Sequence, residues 1–556
     1  MVRRVIGFVF REVRGLHQAA YILAAFTFGS QILALLRDRL LAGEFGAGET
    51  LDIYYSAFRI PDVMFVLFAS ALSIYVLIPF ITRHQQYSGE ANTGRFLTSI
   101  SNFFIVAYTL LAAIVFIYVP VMVPTIFPGI NDTDLLVSVT RILLLQPLFL
   151  GISSLFGVVT QISHRFVLYA LSPILYNLGI IIGIVLLYPV FGLEGLAYGV
   201  VLGALMHMAV QWPLVRKSTM RPTLSLYIRL ADVVEVLRSS IPRALTLSLN
   251  QIVLLVLVSI AGMMAVGSVS VFQLAFNLQS VPLAVVGMSY SIAAFPTLSY
   301  LFTNGDMEKF RHHILIALRH IIFWSVPILV LCIVLRAQLV RVILGSGQFD
   351  WSDTRLTAAV FAVFIFSLGA QAVNLLLIRG FYAGNNTSTP LFISIFTAIA
   401  TLSFAAIGNL FISSSANVSV FLSALLRVED VVGTEVLFLA LSYAAGLILQ
   451  SLLLLLFMRI RFGLSLRSLY KESWQAGFAA LVGGGAAYSA LQFFVDGLNT
   501  GTFIGIFLQG LLAGIVGVAG VILGYTAVRS RTLIEVCDAL ERKIFKTDVI
   551  KEENSI

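Results

Sequence analysis

The chain has little charge and almost no cysteine. Only 11% of its 556 residues are charged, and its two cysteines are Cys332 and Cys537. Soluble globular domains carry about a quarter of charged residues, so this composition argues against a soluble fold. Two cysteines so far apart exclude a disulfide framework and a cysteine metal cluster. The seven histidines show no spacing typical of metal ligands, so we expect no metal centre.

Motifs for nucleotide hydrolysis and covalent catalysis are also missing from the sequence. It contains no glycine-rich phosphate loop, no dinucleotide fingerprint and no nucleophile elbow. We therefore expect no cofactor and no enzymatic activity.

Apolar residues are abundant instead, at 59% of the chain, and they form runs of about 20 residues. A helix of that length crosses the roughly 30 Å hydrocarbon core of a bilayer. Helices also pair every backbone group within the segment, as the bilayer requires. The sequence thus predicts an all-α polytopic membrane protein. We place about fourteen transmembrane helices, at residues 18–42, 52–81, 97–127, 136–160, 167–189, 192–215, 241–266, 269–302, 314–344, 357–383, 389–411, 434–459, 474–496 and 502–528.

Basic residues are distributed unevenly between the two sets of loops. If the N-terminus is cytoplasmic, most of the 35 lysines and arginines lie in loops on that side. The opposite loops hold only Arg336, Arg341, Arg355 and Arg427. Because positively charged loops stay inside, both termini are predicted to be cytoplasmic. The net charge of +8 is then explained by contact with anionic membrane lipids, and no nucleic acid partner is needed.

The longest loop on the predicted cytoplasmic side divides the chain. It mixes apolar and basic residues, as interfacial amphipathic segments do. We therefore predict two pseudo-symmetric six-helix lobes, an amphipathic linker between them, a C-terminal helix pair and a cytoplasmic tail. An internal echo supports the symmetry, because Pro61 and Pro79 in the first lobe correspond to Pro282 and Pro296 in the second. The predicted parts are residues 1–215, 216–240, 241–460, 461–530 and 531–556.

One stretch places charged residues against long apolar segments. Between Ser30 and Pro79 the chain carries Arg37, Asp38, Arg39, Asp52, Arg59 and Asp62. An ionised side chain at membrane depth costs about 3 kcal/mol or more, so such residues usually face a water-filled cavity or one another. This stretch therefore predicts the wall of a polar cavity. The alternative is a set of long side chains that reach the membrane surface from the ends of the spans.

The same stretch resembles a known protein family. The motif LLRDRLLAGEFGAG, followed by Asp52, AFRIP and Pro79, is similar to the first two helices of the MurJ/MviN family. These are bacterial lipid II flippases of the multidrug/oligosaccharidyl-lipid/polysaccharide exporter superfamily. The similarity returns in PLAVVGMSYSIAAFPTLS (282–299) and RGFYAGNNTSTP (379–390). The resemblance implies a multi-pass protein of the bacterial cytoplasmic membrane, and a terminal helix pair that forms a groove for the lipid tail.

The resemblance also implies a substrate site. Arg37 and Asp38 match an RD pair of the family, whose arginine lines the central cavity and is expected to meet the substrate pyrophosphate. A guanidinium suits this role because it can bind phosphate oxygens through two hydrogen bonds. Asp52 matches an acidic position of the family and Arg59 a basic one. Asp52 could pair with Arg37 or Arg39, or it could act as a helix N-cap.

Arg243 is a further candidate, because it follows an Ile-Pro pair at the start of the seventh predicted span. An interfacial position is the alternative for this residue. The sequence also departs from the family pattern, since three usual arginine positions are occupied by Gln31, Val66 and Asn277. The remaining arginines can still hold an anionic headgroup.

The predicted function is a flippase for a lipid II-like precursor. It would translocate a polyprenyl-pyrophosphate-linked glycan across the cytoplasmic membrane by alternating access, for peptidoglycan biosynthesis. Because no ATPase motif is present, the driving force would be the membrane potential or a gradient of a monovalent cation. An oxygen-rich group that could contribute to a sodium site consists of Asn374, Asn385, Asn386 and Thr387.

Three alternatives to this function stay open. They are a flippase of another lipid-linked oligosaccharide, a small-molecule exporter of the same superfamily, and a non-transporting scaffold for envelope assembly. An exporter would need a cavity dominated by aromatic residues and an isolated carboxylate, whereas the basic stretch favours an anionic cargo. We expect membrane lipids as surroundings and a monomer as the functional unit.

Overall fold

A computed structural model describes residues 16–69, 74–223, 225, 227–414, 417–494 and 502–544. Within these ranges the chain forms helices and no strand. The α-helices are α1 (Leu16–Phe45), α2 (Glu49–Ala57), α3 (Arg59–Ala69), α4 (Ile74–Ile126), α5 (Thr133–Leu143), α6 (Leu145–Ile162), α7 (Phe166–Ile182), α8 (Tyr188–Phe191), α9 (Leu193–Ala209), α10 (Trp212–Lys217), α11 (Leu230–Gly262), α12 (Ser268–Leu283), α13 (Ser289–Thr303), α14 (Met307–Val334), α15 (Arg336–Leu344), α16 (Trp351–Phe366), α17 (Leu368–Ala383), α18 (Ser388–Ser414), α19 (Asn417–Leu426), α20 (Val436–Phe462), α21 (Leu469–Phe493), α22 (Phe503–Ala527) and α23 (Arg531–Ile544). Short π-helical turns lie at Gly183–Leu187 and Ala284–Met288, and a 3₁₀ turn lies at Leu466–Ser468.

The predicted all-α polytopic membrane fold is confirmed. In the described part of the chain, ten helices are long and apolar enough to cross a membrane, or eleven if α16 and α17, which meet at a 43° bend, form one span. The predicted count of about fourteen is not confirmed. The predicted spans outside this set are 18–42, 52–81 and 474–496. Two of them coincide with α1, which carries three consecutive charged residues, and α21, which is rich in glycine and alanine.

The predicted second span, 52–81, is not one helix, and this corrects the sequence interpretation. The chain turns at Phe58 and starts a new helix, α3, with Pro61 in its first turn. Proline has no amide hydrogen and is favoured in a first turn, where that hydrogen would have no helical partner. Residues 70–73 lie outside the described residues. Helix α4 then continues for 53 residues through the loop predicted around 82–96, a stretch without proline.

The predicted linker at 216–240 is also partly helical. Helix α10 ends at Lys217, and α11 already begins at Leu230 and runs for 33 residues. Val233 and Val236 are buried three residues apart, which is the spacing of one helical face. Part of the amphipathic pattern of the predicted linker therefore belongs to the first turns of α11. The division of the chain into domains by sequence order stays a prediction.

The described residues belong to two compact units, of which the first comprises Met1–Leu274, Ile343–Thr357 and Ser394–Ser442. In this unit α9 packs closely, through glycines, against α7 and the π-helical turn that follows it. A Cβ added at Gly179 would lie 2.3 Å from the Cα of Gly203, and one added at Gly183 would lie 2.6 Å from the Cα of Gly199. Glycines four residues apart line one face of each helix, so the two backbones can approach one another.

The second unit comprises Ala275–Val342, Ala358–Ile393 and Tyr443–Ile556. Its core includes the fully buried residues Phe310, Phe381 and Met458. Helices α21 and α22 pack against each other, and a Cβ added at Gly524 would lie 2.6 Å from the Cα of Ala479. The small residues of this terminal pair therefore allow a close approach of the two helices. Of the predicted tail, residues 531–544 form α23 and residues 545–556 lie outside the described residues.

Candidate functional site

Arg37 lies near the C-terminal end of α1 and is held by two polar neighbours. Its Nε and Nη2 donate to Oδ1 of Asp38 at 2.9 and 2.7 Å, and its Nη1 donates to Oδ1 of Asn177 at 3.1 Å. Asn177 is itself fixed, because its Nδ2 donates to Oγ of Ser30 at 3.3 Å and to the carbonyl of Pro173 at 3.0 Å. Asp38 is buried, whereas the Arg37 side chain is 19% exposed. The guanidinium is thus oriented and still accessible.

Arg59 begins α3 and is buried. Its Nη2 donates to Oε1 of Gln273, and its Nε has no hydrogen-bond partner among the described residues. Tyr55, four residues earlier, is also buried, and its hydroxyl likewise lacks a partner in that part of the chain. Buried polar groups are nearly always paired, so these two groups are exceptions among the described residues.

Asp52 is the fourth residue of α2 and binds a different helix. Its Oδ2 accepts the amide of Gly267 at 2.6 Å. Its Oδ1 accepts the amide and the hydroxyl of Ser270 at 2.8 and 2.5 Å. These amides belong to the start of α12, where a helix has no carbonyl of its own to offer. Asp52 therefore caps α12 across a sequence separation of 215 residues.

This geometry corrects the expectations for Asp52. The N-cap of its own helix is Gly48, so Asp52 caps a distant helix and not the one that contains it. The expected ion pair with Arg37 or Arg39 does not form among the described residues, because Arg37 pairs with Asp38 and the Asp52 carboxylate is taken up by backbone amides and a hydroxyl.

The turn between α1 and α2 is held by two other segments of the same unit. The amide of Ala47 donates to Oδ2 of Asp353 at 3.1 Å, and the amide of Gln348 donates to the carbonyl of Gly43 at 2.8 Å. Gly267 has a φ of +91°, and a Cβ there would lie only 2.2 Å from the carbonyl oxygen of Ala47. Only glycine fits this conformation and this space. Together these contacts fix the position of the charged stretch.

Two other arginines of the sequence analysis have different surroundings. Arg243 is half-buried on α11, which packs against α3 and α4. It therefore lies on a neighbour of the helix that carries Arg59. The Nη1 of Arg39 donates to the carbonyl of Ile343 at 3.4 Å, so this guanidinium contacts the backbone of another segment.

Three polar residues of this site were missed by the sequence analysis. Asn177 and Gln273 lie 140 and 214 residues from the arginines that they contact, and no local pattern marks them. Tyr55 did carry a signal, because it precedes Arg59 by four residues, which is about one helical turn. A tyrosine one turn before an intramembrane arginine is a candidate for the same polar face.

The oxygen-rich group proposed for sodium lies in the second unit, and two of its members, Asn386 and Asn374, contact protein groups, although Oδ1 of Asn374 has no hydrogen-bond partner among the described residues. Asn386 accepts the amide of Thr389 at 3.1 Å and so caps α18. Asn374 donates to the carbonyl of Leu447 at 3.0 Å and to Oε1 of Gln450 at 3.1 Å. Over the ranges that the structure describes, no cluster of three or more His, Cys, Asp or Glu side chains could hold a metal ion.

Known relatives share much of this chain. The model of a family described as "Lipid II flippase MurJ" matches residues 41–415. The lipid II flippase MurJ of Burkholderia cenocepacia is 26% identical over 489 residues, which are 86% of this chain and 89% of the relative. The probable lipid II flippase MurJ of Buchnera aphidicola subsp. Baizongia pistaciae is 26% identical over 385 residues, or 68% of this chain and 75% of the relative.

Solved structures agree on the fold. A lipid II flippase MurJ in an inward closed conformation gives a TM-score of 0.70 at 21% identity, over 91% of this chain and 99% of that chain. An inward-facing multidrug resistance MATE family transporter of the MOP superfamily gives 0.64 at 14% identity, over 78% and 94%. The family model covers well over half of the sequence and includes the charged stretch from Asp52 to Asp62. The chain therefore belongs to the lipid II flippase MurJ family.

Proposed function

We propose that this protein translocates a lipid II-like precursor, linked to a polyprenyl pyrophosphate, across the bacterial cytoplasmic membrane by alternating access. Its family consists of transporters and not of enzymes. The observation that carries the proposal is Arg59, a buried guanidinium whose Nε has no partner among the described residues. The oxygens of a pyrophosphate are negatively charged and accept hydrogen bonds from a guanidinium. One of them could therefore serve as the missing acceptor for Nε of Arg59.

The residues around Arg59 support distinct roles. Arg37 would bind a phosphate oxygen pair, with its guanidinium oriented by Asp38 and Asn177. The Tyr55 hydroxyl would donate to a further phosphate oxygen, because it is buried, has no partner among the described residues and lies four residues before Arg59. Arg243 would contribute a third positive charge from α11. The cargo would then compensate for the cost of burying these groups.

The membrane potential supports the proposed direction of transport. A potential that is negative inside drives negative charge outward, by about 2.3 kcal/mol per charge for each 100 mV. A pyrophosphate-linked lipid carries such charge, so its outward movement gains this energy without ATP. Coupling to a monovalent cation gradient is the other source of energy within the proposal. A monomer suffices for this mechanism.

A groove in the second unit fits the lipid tail of the proposed cargo. It has a volume of about 510 Å³ and is lined by residues of α14, α15 and α22. Leu335, Leu339 and Phe507 make it apolar, and Gly510 and Gly514 leave room on α22. A polyprenyl chain needs an apolar surface of this kind, which removes its carbons from water. The groove thus supports the tail-binding role that the resemblance implies for the terminal helix pair.

Growth of a strain that lacks its own lipid II flippase tests the proposal. At matched membrane expression, we expect the wild type to restore growth and Arg37→Ala to restore little. Arg37→Lys should restore part of it, because the charge is kept and the bidentate geometry is lost. The control is Arg95→Ala, which removes an exposed arginine of α4 and should behave as the wild type does. Equal growth with wild type and Arg37→Ala would contradict the proposed role of Arg37.

A further inference from the structure

The segment between α10 and α11 is tied to α4 by side-chain hydrogen bonds. The amide of Thr223 donates to Oγ1 of Thr98 at 3.1 Å, and the amide of Arg229 donates to Oγ of Ser99 at 2.7 Å. The two acceptors are neighbours on α4 and are buried. The described part of this connection is therefore fixed against the helix, which gives the space beside it a defined shape.

That space is a cavity of about 560 Å³ within the first unit. It is formed by α4, α6, α9 and α10 together with the fixed segment. Ile105 and Ile152 make its wall largely apolar, and Arg216 and Arg221 line the same cavity. A volume of this size is typical of small-molecule sites. The cavity thus places two positive charges beside an apolar surface.

Both guanidinium groups are exposed and available. In the part of the chain that the structure describes, the side chains of Arg216 and Arg221 form no ion pair and no hydrogen bond. Arg216 lies in the last turn of α10 and Arg221 in the segment that follows it, within the connection predicted to be cytoplasmic, where anionic lipid headgroups lie. Paired guanidinium groups beside a membrane are suited to a phosphate, which they can bind through two hydrogen bonds each.

Trp212 adds a marker of the membrane surface. It lines the cavity, its side chain is 45% exposed, and its ring packs against Phe156 with the centroids 5.6 Å apart. Tryptophan is enriched where the hydrocarbon core meets the headgroups. The cavity therefore places arginines, a tryptophan and aliphatic side chains next to one another. A phospholipid offers matching parts in its phosphate, its interfacial region and its acyl chains.

We propose that this cavity binds an anionic phospholipid of the cytoplasmic leaflet. Its phosphate would lie between Arg216 and Arg221, and part of an acyl chain would lie along Ile105 and Ile152. A soluble phosphate shares the charge but gains nothing from the apolar wall, so the lipid is the favoured source of the phosphate. The site does not depend on the proposed cargo, because the residues proposed to bind the cargo do not line this cavity. Those residues are Arg37, Tyr55, Arg59 and Arg243.

Quenching of tryptophan fluorescence by brominated lipid tests this proposal directly. Purified protein in phosphatidylcholine nanodiscs is titrated with phosphatidylglycerol that carries brominated acyl chains. The contribution of Trp212 is the difference between the wild type and Trp212→Phe. We expect saturable quenching of this contribution, and a roughly 10- to 30-fold weaker apparent affinity for the double variant Arg216→Gln/Arg221→Gln.

Three controls separate the outcomes. Arg238→Gln removes an exposed arginine that does not line the cavity, and it should keep the wild-type affinity. Melting temperatures in phosphatidylcholine alone should be equal for all variants, which shows that they are folded. Brominated phosphatidylcholine should quench weakly. Equal quenching by both lipids, an unchanged affinity of the double variant, or full displacement of the lipid by inorganic phosphate at millimolar concentration would overturn the proposal.

Discussion

Replacement of Asp52 by alanine tests whether this residue acts through the fold. The carboxylate is buried and accepts the amides of Gly267 and Ser270 and the hydroxyl of Ser270. Alanine would leave both amides without their acceptor at the start of α12. The hydroxyl is affected less, because it also reaches the carbonyl of Gly48 at 3.3 Å.

The expected loss of stability follows from these contacts. Replacing an N-cap residue by alanine costs about 0.5–2 kcal/mol, and each buried amide left without an acceptor costs about 1–3 kcal/mol. Removing the carboxylate also removes the free-energy cost of burying its charge, and this gain offsets part of the lost stability. We therefore expect Asp52→Ala to lower the free energy of unfolding by about 2–4 kcal/mol. Asp52→Asn should lose about half as much, because one carbonyl oxygen remains as an acceptor.

Thermal melting of the detergent-purified variants measures this effect. The matched control is Asp134→Ala, which removes an exposed carboxylate from the first turn of α5 and should melt close to the wild type. The expected order of melting temperatures is wild type and Asp134→Ala, then Asp52→Asn, then Asp52→Ala. If Asp52→Ala melted as the wild type does and yet failed to support growth, Asp52 would act on the cargo and the capping argument would be refuted.

Three further predictions concern the turn, the cargo and the topology. Gly267→Ala should destabilise the protein by about 1–3 kcal/mol or more, and more than Gly192→Ala, which has a similar φ of +60° but open space around it; equal melting temperatures would contradict this. The double variant Gln31→Arg/Asn277→Arg should raise growth of a strain that lacks its lipid II flippase above the wild-type level, because it places cations at two positions where the family usually has arginine; no gain would indicate a different cargo. A reporter fused after Ile556 should be active only in the cytoplasm, and activity outside would reverse the predicted orientation.

The helices were predictable because their cause is local. Runs of about 20 apolar residues have to form helices in a bilayer, and the structure has helices at all the predicted spans where it describes them. The break at Phe58 was also within reach, since Pro61 favours the start of a new helix. The continuation of α4 was not, because a polar stretch without proline is equally compatible with a loop and with a helix that leaves the membrane.

The charged stretch was predictable as a site, but its contacts were not. The cost of charge at membrane depth singled out Arg37, Asp38 and Arg59. Their partners Asn177 and Gln273 come from distant parts of the chain, and only the fold brings them together. The same holds for Asp52, whose carboxylate chemistry predicted a cap but could not identify α12 as the helix that is capped.

Translocation of lipid II by the purified protein in liposomes tests the central claim most directly. A membrane potential is imposed that is negative on the side where the lipid starts, and the lipid that reaches the other leaflet is measured over time. The account predicts transport by the wild type and a roughly 10- to 100-fold lower rate for Arg59→Ala, because a charge-assisted contact of about 1.5–3 kcal/mol is lost. Equal rates for the wild type, Arg59→Ala and protein-free liposomes would contradict it.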